Sequence, residues 1–154
     1  MKNKLYVLVG VPCAGKSTWV EQQPWAKDCA YISTDKHIDE YAKSEGKTYN
    51  EVFDDYMPTA VDLMTEEVIL ARNLKKDIIW DQTSTTVKSR ARKFRMLPTY
   101  YAIAVVFPTP EKDELYRRLK SRPGKNIPQR VMYQMIEHWQ EPTLIEGFKE
   151  IWKI

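Results

Sequence analysis

Two cysteines and two histidines in 154 residues exclude two broad classes of protein. Cys13 and Cys29 form neither a C-x-x-C pair nor a zinc spacing, and so few imidazoles supply no obvious metal cluster. Disulfide staples are not needed either, because a chain of this length buries about two-thirds of the surface its unfolded form exposes. One domain over residues 1–154 in a reduced, cytoplasmic setting is therefore expected. Long apolar runs are missing too. The stretch after Met1-Lys2-Asn3-Lys4 is apolar only over residues 5–9 before a glycine, too short for a signal h-region or a membrane span. No internal repeat, low-complexity tract or linker divides the chain.

Only five glycines are present, and two of them bracket the most informative stretch. Residues 5–9 are apolar with strand character. They deliver Gly10-x-x-x-x-Gly15-Lys16-Ser17, and Thr18-Trp19-Val20 then opens a helix. Strand before and helix after is the context that gives such a loop its meaning. Gly10 and Gly15 permit backbone conformations that a Cβ would obstruct, so successive N–H groups can turn inward around phosphate oxygens. Gly10, Pro12, Cys13, Ala14, Gly15, Lys16, Ser17 and Thr18 are thus candidate nucleotide contacts, with ATP as the nucleotide. Lys16 is placed to neutralise the β- and γ-phosphates, and the Ser17 hydroxyl to ligate Mg²⁺.

Net charge is +3, from 24 basic and 21 acidic residues, which permits a polyanionic partner without requiring one. The distribution is more informative. Residues 88–95 and 117–130 are basic clusters, whereas residues 35–67 are mostly acidic. The 88–95 cluster reads equally as a solvated helix face.

Further along the chain, a helix from about Ser17 to Gln23 is stopped by Pro24, and residues 29–33 read as a second buried strand. Asp35 follows that strand. In an open parallel sheet, ligands sit beyond the carboxyl ends of the strands, so Asp35 faces the crevice of the phosphate loop. Residues 36–55 are looser, with a turn-rich stretch at 45–50, and Pro58-Thr59 starts a long helix to about Lys76. A third strand, 77–81, ends in Asp81, as a Walker B element does, and its carboxylate reaches toward Mg²⁺ or Lys16. Ser84, Thr85 and Thr86 are better caps for the basic helix at 87–97 than Asp81 is, which leaves Asp81 for function. Residues 100–107 form the clearest strand. A helix over 111–121 then runs into Arg122-Pro123-Gly124-Lys125, and another begins at Pro128. This helix-turn-helix, about residues 115–130, has the form of a lid over a nucleotide, with Arg118, Arg122 and Lys125 as candidate phosphate contacts. Residues 148–154 close the pattern as a fifth strand. The fold class is α/β, a doubly wound five-stranded parallel sheet of expected order 2-3-1-4-5.

With those residues in place, the sequence resembles the P-loop kinases that phosphorylate alcohol groups, and among them the polynucleotide kinases of bacteriophages. The resemblance runs over essentially the whole chain. It is carried by Gly10-Val-Pro12-Cys-Ala-Gly15-Lys16-Ser17-Thr18-Trp19, by Asp35, by Asp81-Gln-Thr83, and by Arg122-Pro-Gly-Lys125-Asn-Ile-Pro128. It implies that Asp35 is the general base for an acceptor hydroxyl, that Arg122 contacts the donor phosphates, and that the acceptor is a nucleic-acid 5′-OH, DNA or RNA. Phage origin is part of the same implication. One position departs from the pattern: where the polynucleotide kinases carry Arg three residues after the aspartate, this chain has Ile38, with Lys36 and His37 as the neighbouring cations. Other acceptors stay open, among them a hydroxyl on a modified DNA base and a small-molecule alcohol. So does a nucleic-acid-binding NTPase without an acceptor. Trp25, Tyr41, Tyr49, Tyr56, Tyr133 and Trp139 are equally candidates for base stacking and for packing.

Overall fold

The computed structural model describes residues 2–154. Its framework is five parallel strands, β1 (Lys4–Val9), β2 (Ala30–Ile32), β3 (Ile78–Asp81), β4 (Tyr101–Val106) and β5 (Glu150–Lys153), in the spatial order β2-β3-β1-β4-β5. That is the expected order. Between the strands run α1 (Lys16–Glu21), a 3-10 turn at Pro24–Asp28, α2 (Asp35–Ser44), α3 (Tyr49–Asn73), α4 (Val87–Met96), α5 (Lys112–Lys120) and α6 (Gln129–Glu137).

Successive side chains of a strand point to opposite faces, and both faces here are covered. On one, Leu5, Val7 and Val9 with Ile78, Trp80, Ala102 and Ala104 pack against Met64, Val68 and Ala71 of α3. On the other, Tyr6, Leu8, Ile79, Ile103 and Val105 meet Trp19, Val20 and Trp25. Each fully buried aliphatic side chain contributes about 1.5–3 kcal/mol. Pairing aligns Leu8 with Asp81 and Ile32 with Trp80, so the loops that leave β1, β2 and β3 emerge at the same end of the sheet.

The long helix begins earlier than expected. α3 starts at Tyr49 rather than Pro58, because Thr48 and Glu51 form a capping box: the Glu51 N–H donates to Thr48 Oγ1 at 3.3 Å and the Thr48 N–H to Glu51 Oε1 at 2.9 Å. Pro58 lies inside the helix. Pro58 and Asp54 are both on the solvent side, so water can satisfy the carbonyl that loses its N–H partner. The extra turns make α2 and α3 an antiparallel pair closed over Ile38, Ala42, Val52 and Ala60.

The basic stretch 88–95 is only in part a solvated face. Lys88, Arg92 and Arg95 are exposed, but Arg90 and Lys93 are buried. Arg90 forks onto Glu146, with Nε to Oε1 at 2.6 Å and Nη2 to Oε2 at 3.2 Å, and donates to the Ser84 and Gln140 carbonyls. This braces the loop after β3, whose Thr83 carbonyl accepts from Gly10 N at 3.0 Å. A buried arginine thereby supports the start of the phosphate loop.

Lys93 points at the Trp80 ring, 5.1 Å from its centroid. Burial, helped by Arg92 and Arg90, pushes its ammonium down to about 8, against about 10.4 in an unfolded chain. Between those values the unfolded state binds more protons, so this residue makes stability rise with pH there; below pH 8 its full burial cost is present. Lys93→Met is expected to raise Tm at pH 7, with an advantage over wild type that shrinks by pH 9.5. A gap that stays constant between the two pH values, measured by calorimetry, contradicts the assignment.

Candidate active site

The phosphate loop, residues 10–17, joins β1 to α1. Cys13 at φ 66° and Gly15 at φ 97° curl it so that its amides line a concave turn. Lys16 folds back over the loop, its Nζ donating to the Gly10 carbonyl at 2.9 Å and the Val11 carbonyl at 3.2 Å. Burial lowers its pKa, against the opposing pull of Asp81 and Asp35. Ser17 and Thr18 at the start of α1 are exposed.

Asp81 at the end of β3 is largely enclosed, and burial raises its pKa against a hydrogen bond from Tyr31 and the charge of Lys16. The Tyr31 hydroxyl donates to Asp81 Oδ2. Tyr31 itself is pushed up by burial and by Asp81, with the Ser17 hydroxyl acting in the opposite direction. Tyr31, Ser17 and Asp81 are thus neighbours, although they come from β2, α1 and β3. Among the described residues no three His, Cys, Asp or Glu side chains converge.

Asp35 is the first residue of α2, and the N-cap position belongs to Thr34, whose side chain makes no cap bond. Asp35 Oδ1 accepts from the Tyr49 hydroxyl at 2.6 Å. Burial, followed by the charge of Asp35, raises the Tyr49 pKa, so the phenol is the donor. Ile38, one turn on, is completely buried. Lys36 and His37, the cations nearest to Asp35 in sequence, both bind Glu67 of α3, Lys36 at 2.8 Å. They are spent on joining α2 to α3, a role the sequence did not disclose.

The helical lid is docked. Arg118 Nη1 donates to the Cys13 carbonyl at 2.9 Å while its Nε holds Glu114 at 2.7 Å. Arg122 Nη1 lies 3.0 Å from Cys13 Sγ. Both expected lid arginines therefore reach the phosphate loop. Lys125 does not: it pairs with Asp39 of α2 at 2.9 Å and sits 4.6 Å from the centre of the Tyr49 ring. Lys125 thus sits on the acceptor side of the lid turn, where Gly124 has φ 72°. Asn50 fixes the turn, its amide pairing with the Asn126 carbonyl and N–H at 2.7 Å each, while its own N–H donates to the Gly124 carbonyl at 2.9 Å. A Cβ on Gly124 would come within 2.7 Å of Thr48 Cβ, so only glycine lets the lid approach this closely.

Of the aromatic residues considered for stacking, Trp25 lies on Tyr6 at 4.4 Å and Tyr41 on Tyr56 at 3.9 Å. Trp139 packs against the core, and Tyr49 is bound to Asp35. Tyr133 alone in the group is exposed, with Lys112 over its ring.

A model of the AAA domain matches residues 5–142. The chain belongs to the AAA domain family. Solved structures agree on the P-loop kinase fold. A kinase-like protein of Chloroflexus aurantiacus is 15% identical over 100% of this chain and 88% of its own, with a TM-score of 0.74. A chain of the Pnkp1/Rnl/Hen1 RNA repair complex is 20% identical over 89% of this chain and 44% of its own, TM-score 0.68. Kti12 of Chaetomium thermophilum, solved with ADP-AlF3, is 14% identical over 97% of this chain and 88% of its own, TM-score 0.60. At these identities the likeness carries the fold alone. In this AAA domain no described helix is long and apolar enough to cross a membrane.

Tyr31 and Asn50 are site neighbours that sequence reasoning missed, and Tyr49 was considered only for stacking or packing. The Thr48-x-x-Glu51 capping box was legible and would have put Tyr49 and Asn50 in a first helical turn. Nothing local, however, pairs them with Asp35 or residues 124–126.

Proposed function

We propose that this AAA domain is an ATP- and Mg²⁺-dependent kinase that phosphorylates an alcohol hydroxyl. The observation that carries this reading is the gathering of Lys16, Asp81 and the Tyr49-bound Asp35 at one end of the sheet, beneath a lid that brings two arginines to the phosphate loop.

An alcohol is a poor nucleophile at neutral pH, yet phosphoryl transfer has a loose transition state, so alignment and charge neutralisation carry most of the catalysis. In the proposed roles, the loop amides and Lys16 hold the β- and γ-phosphates. Arg122 and Arg118 neutralise charge on the transferred group. Asp35 orients the acceptor hydroxyl and takes its proton. Ser17 and Asp81 would hold Mg²⁺, which when bound supplies further charge neutralisation on the phosphates. An open cleft of about 390 Å³ beside Ala14, lined by Pro108, Pro110, Glu111, Glu114 and Arg118, gives the nucleoside half of ATP a place to extend.

For the acceptor, the motif resemblance favours a polynucleotide 5′-OH, and one of the fold relatives is a chain of an RNA repair complex. The acceptor side itself favours a second reading, a neutral or cationic small alcohol. Residues 35–67 carry ten Asp and Glu against three Lys, and Ile38 leaves no guanidinium for an acceptor phosphate. Transfer of label from γ-³²P ATP to 5′-OH oligonucleotides, hydroxymethylated duplexes and small alcohols separates the two by which acceptor is labelled and by the presence or absence of a salt effect. Activity on an oligonucleotide that falls steeply with salt supports the polynucleotide. Salt-independent activity on a neutral alcohol supports the small acceptor. Label released only as inorganic phosphate contradicts both.

A further inference from the structure

The first turn of α3 meets the acceptor side and the lid at once. Tyr49 donates its hydroxyl to Asp35 Oδ1, its ring lies under the Lys125 ammonium, and the next residue, Asn50, holds the lid backbone. Asp35 is therefore gripped by one oxygen. Among the described residues no donor is bonded to Oδ2.

We infer that Tyr49 is a positioning residue for phosphoryl transfer, holding Asp35 by Oδ1 so that Oδ2 is the oxygen that receives the acceptor's proton. The inference rests on the kinase reading above. In the step it serves, the acceptor oxygen forms a bond to the γ-phosphorus as the bond to the β-bridging oxygen breaks. ADP departs with that electron pair, and the hydroxyl proton passes to Asp35 Oδ2. A carboxylate on an exposed helix start would otherwise rotate among several χ angles, so fixing it removes a share of the orientational cost of reaching the transition state. The charged groups around Asp35 are Asp39 on its own helix, Lys16 from α1, Asp81 from β3, and Arg122 and Lys125 from the lid. None of them is a hydrogen-bond donor to its carboxylate, and Tyr49 is.

Tyr49→Phe removes the hydroxyl alone. It keeps the ring beneath Lys125, its tilted contact with Phe53 at 5.4 Å and the Asn50 lid contacts. The kcat for acceptor phosphorylation is expected to fall about tenfold to a hundredfold, the range for losing one hydrogen bond to a charged group. KM for ATP should stay within about twofold, and Tm should be unchanged. A merely structural tyrosine would move KM or Tm instead. A double-mutant cycle closes the test, measured by single turnover: in an Asp35→Asn background the same substitution should cost less than about threefold, because Tyr49 acts through Asp35. Wild-type kcat in Tyr49→Phe, or an equal loss in both backgrounds, overturns the inference while leaving the kinase reading intact. Acceptor-independent ATP hydrolysis by the wild type overturns both.

Discussion

Asp35→Ala is expected to lower phosphoryl transfer to the acceptor by about two to four orders of magnitude, the contribution of a positioned general base. ATP affinity should stay within a few-fold, because among the described residues Asp35 makes no hydrogen bond to the phosphate loop and its one hydrogen-bond partner is Tyr49. The fold should survive as well. Asp35 is exposed, makes no cap bond in α2 and forms no ion pair with the Lys36–Glu67 link that ties α2 to α3. Acceptor-dependent kcat and the ATP dissociation constant, measured on the same preparation, check both halves. Unchanged turnover removes Asp35 from the base role.

Arg122→Ala should cost on the order of 3 kcal/mol or more in transition-state stabilisation, a hundredfold or greater loss of kcat, as for other arginines that meet a transferring phosphoryl group. The guanidinium already lies against Cys13 in the phosphate loop. Arg118 reaches the same residue from α5, but part of its guanidinium is committed to Glu114, so Arg118→Ala should cost less. The reverse ranking in steady-state kinetics reassigns the lid arginine to Arg118.

Much of the fold was legible because the strands of a parallel sheet are buried on both faces and read as apolar runs: Leu5–Val9, Ile78–Trp80 and Ala102–Val106 have little accessible surface. The strand-end acids were legible for a related reason. A carboxylate closing such a run stands at the ligand end of the sheet, as Asp81 does. The start of α3 was obscured by Pro58, which reads as a helix opener and here sits nine residues inside one. The basic helix was legible only in part, for want of long-range information. Arg90 is buried by Glu146, 56 residues away, and no periodicity within 88–95 signals that partner. Lys125 follows the same logic, since its neighbour Asp39 lies 86 residues earlier. Pairings of this kind are created by topology. They decide which members of a charge cluster act on a ligand and which hold the molecule together.

The most direct test of the account is a single-turnover experiment with γ-³²P ATP, Mg²⁺ and a hydroxyl acceptor panel, using wild-type protein and the Lys16→Ala variant. The account predicts that the label leaves ATP for a phosphoester on one class of acceptor, with one ADP formed per product, and that Lys16→Ala stops it. Label appearing only as inorganic phosphate, at a rate indifferent to acceptor, would contradict it.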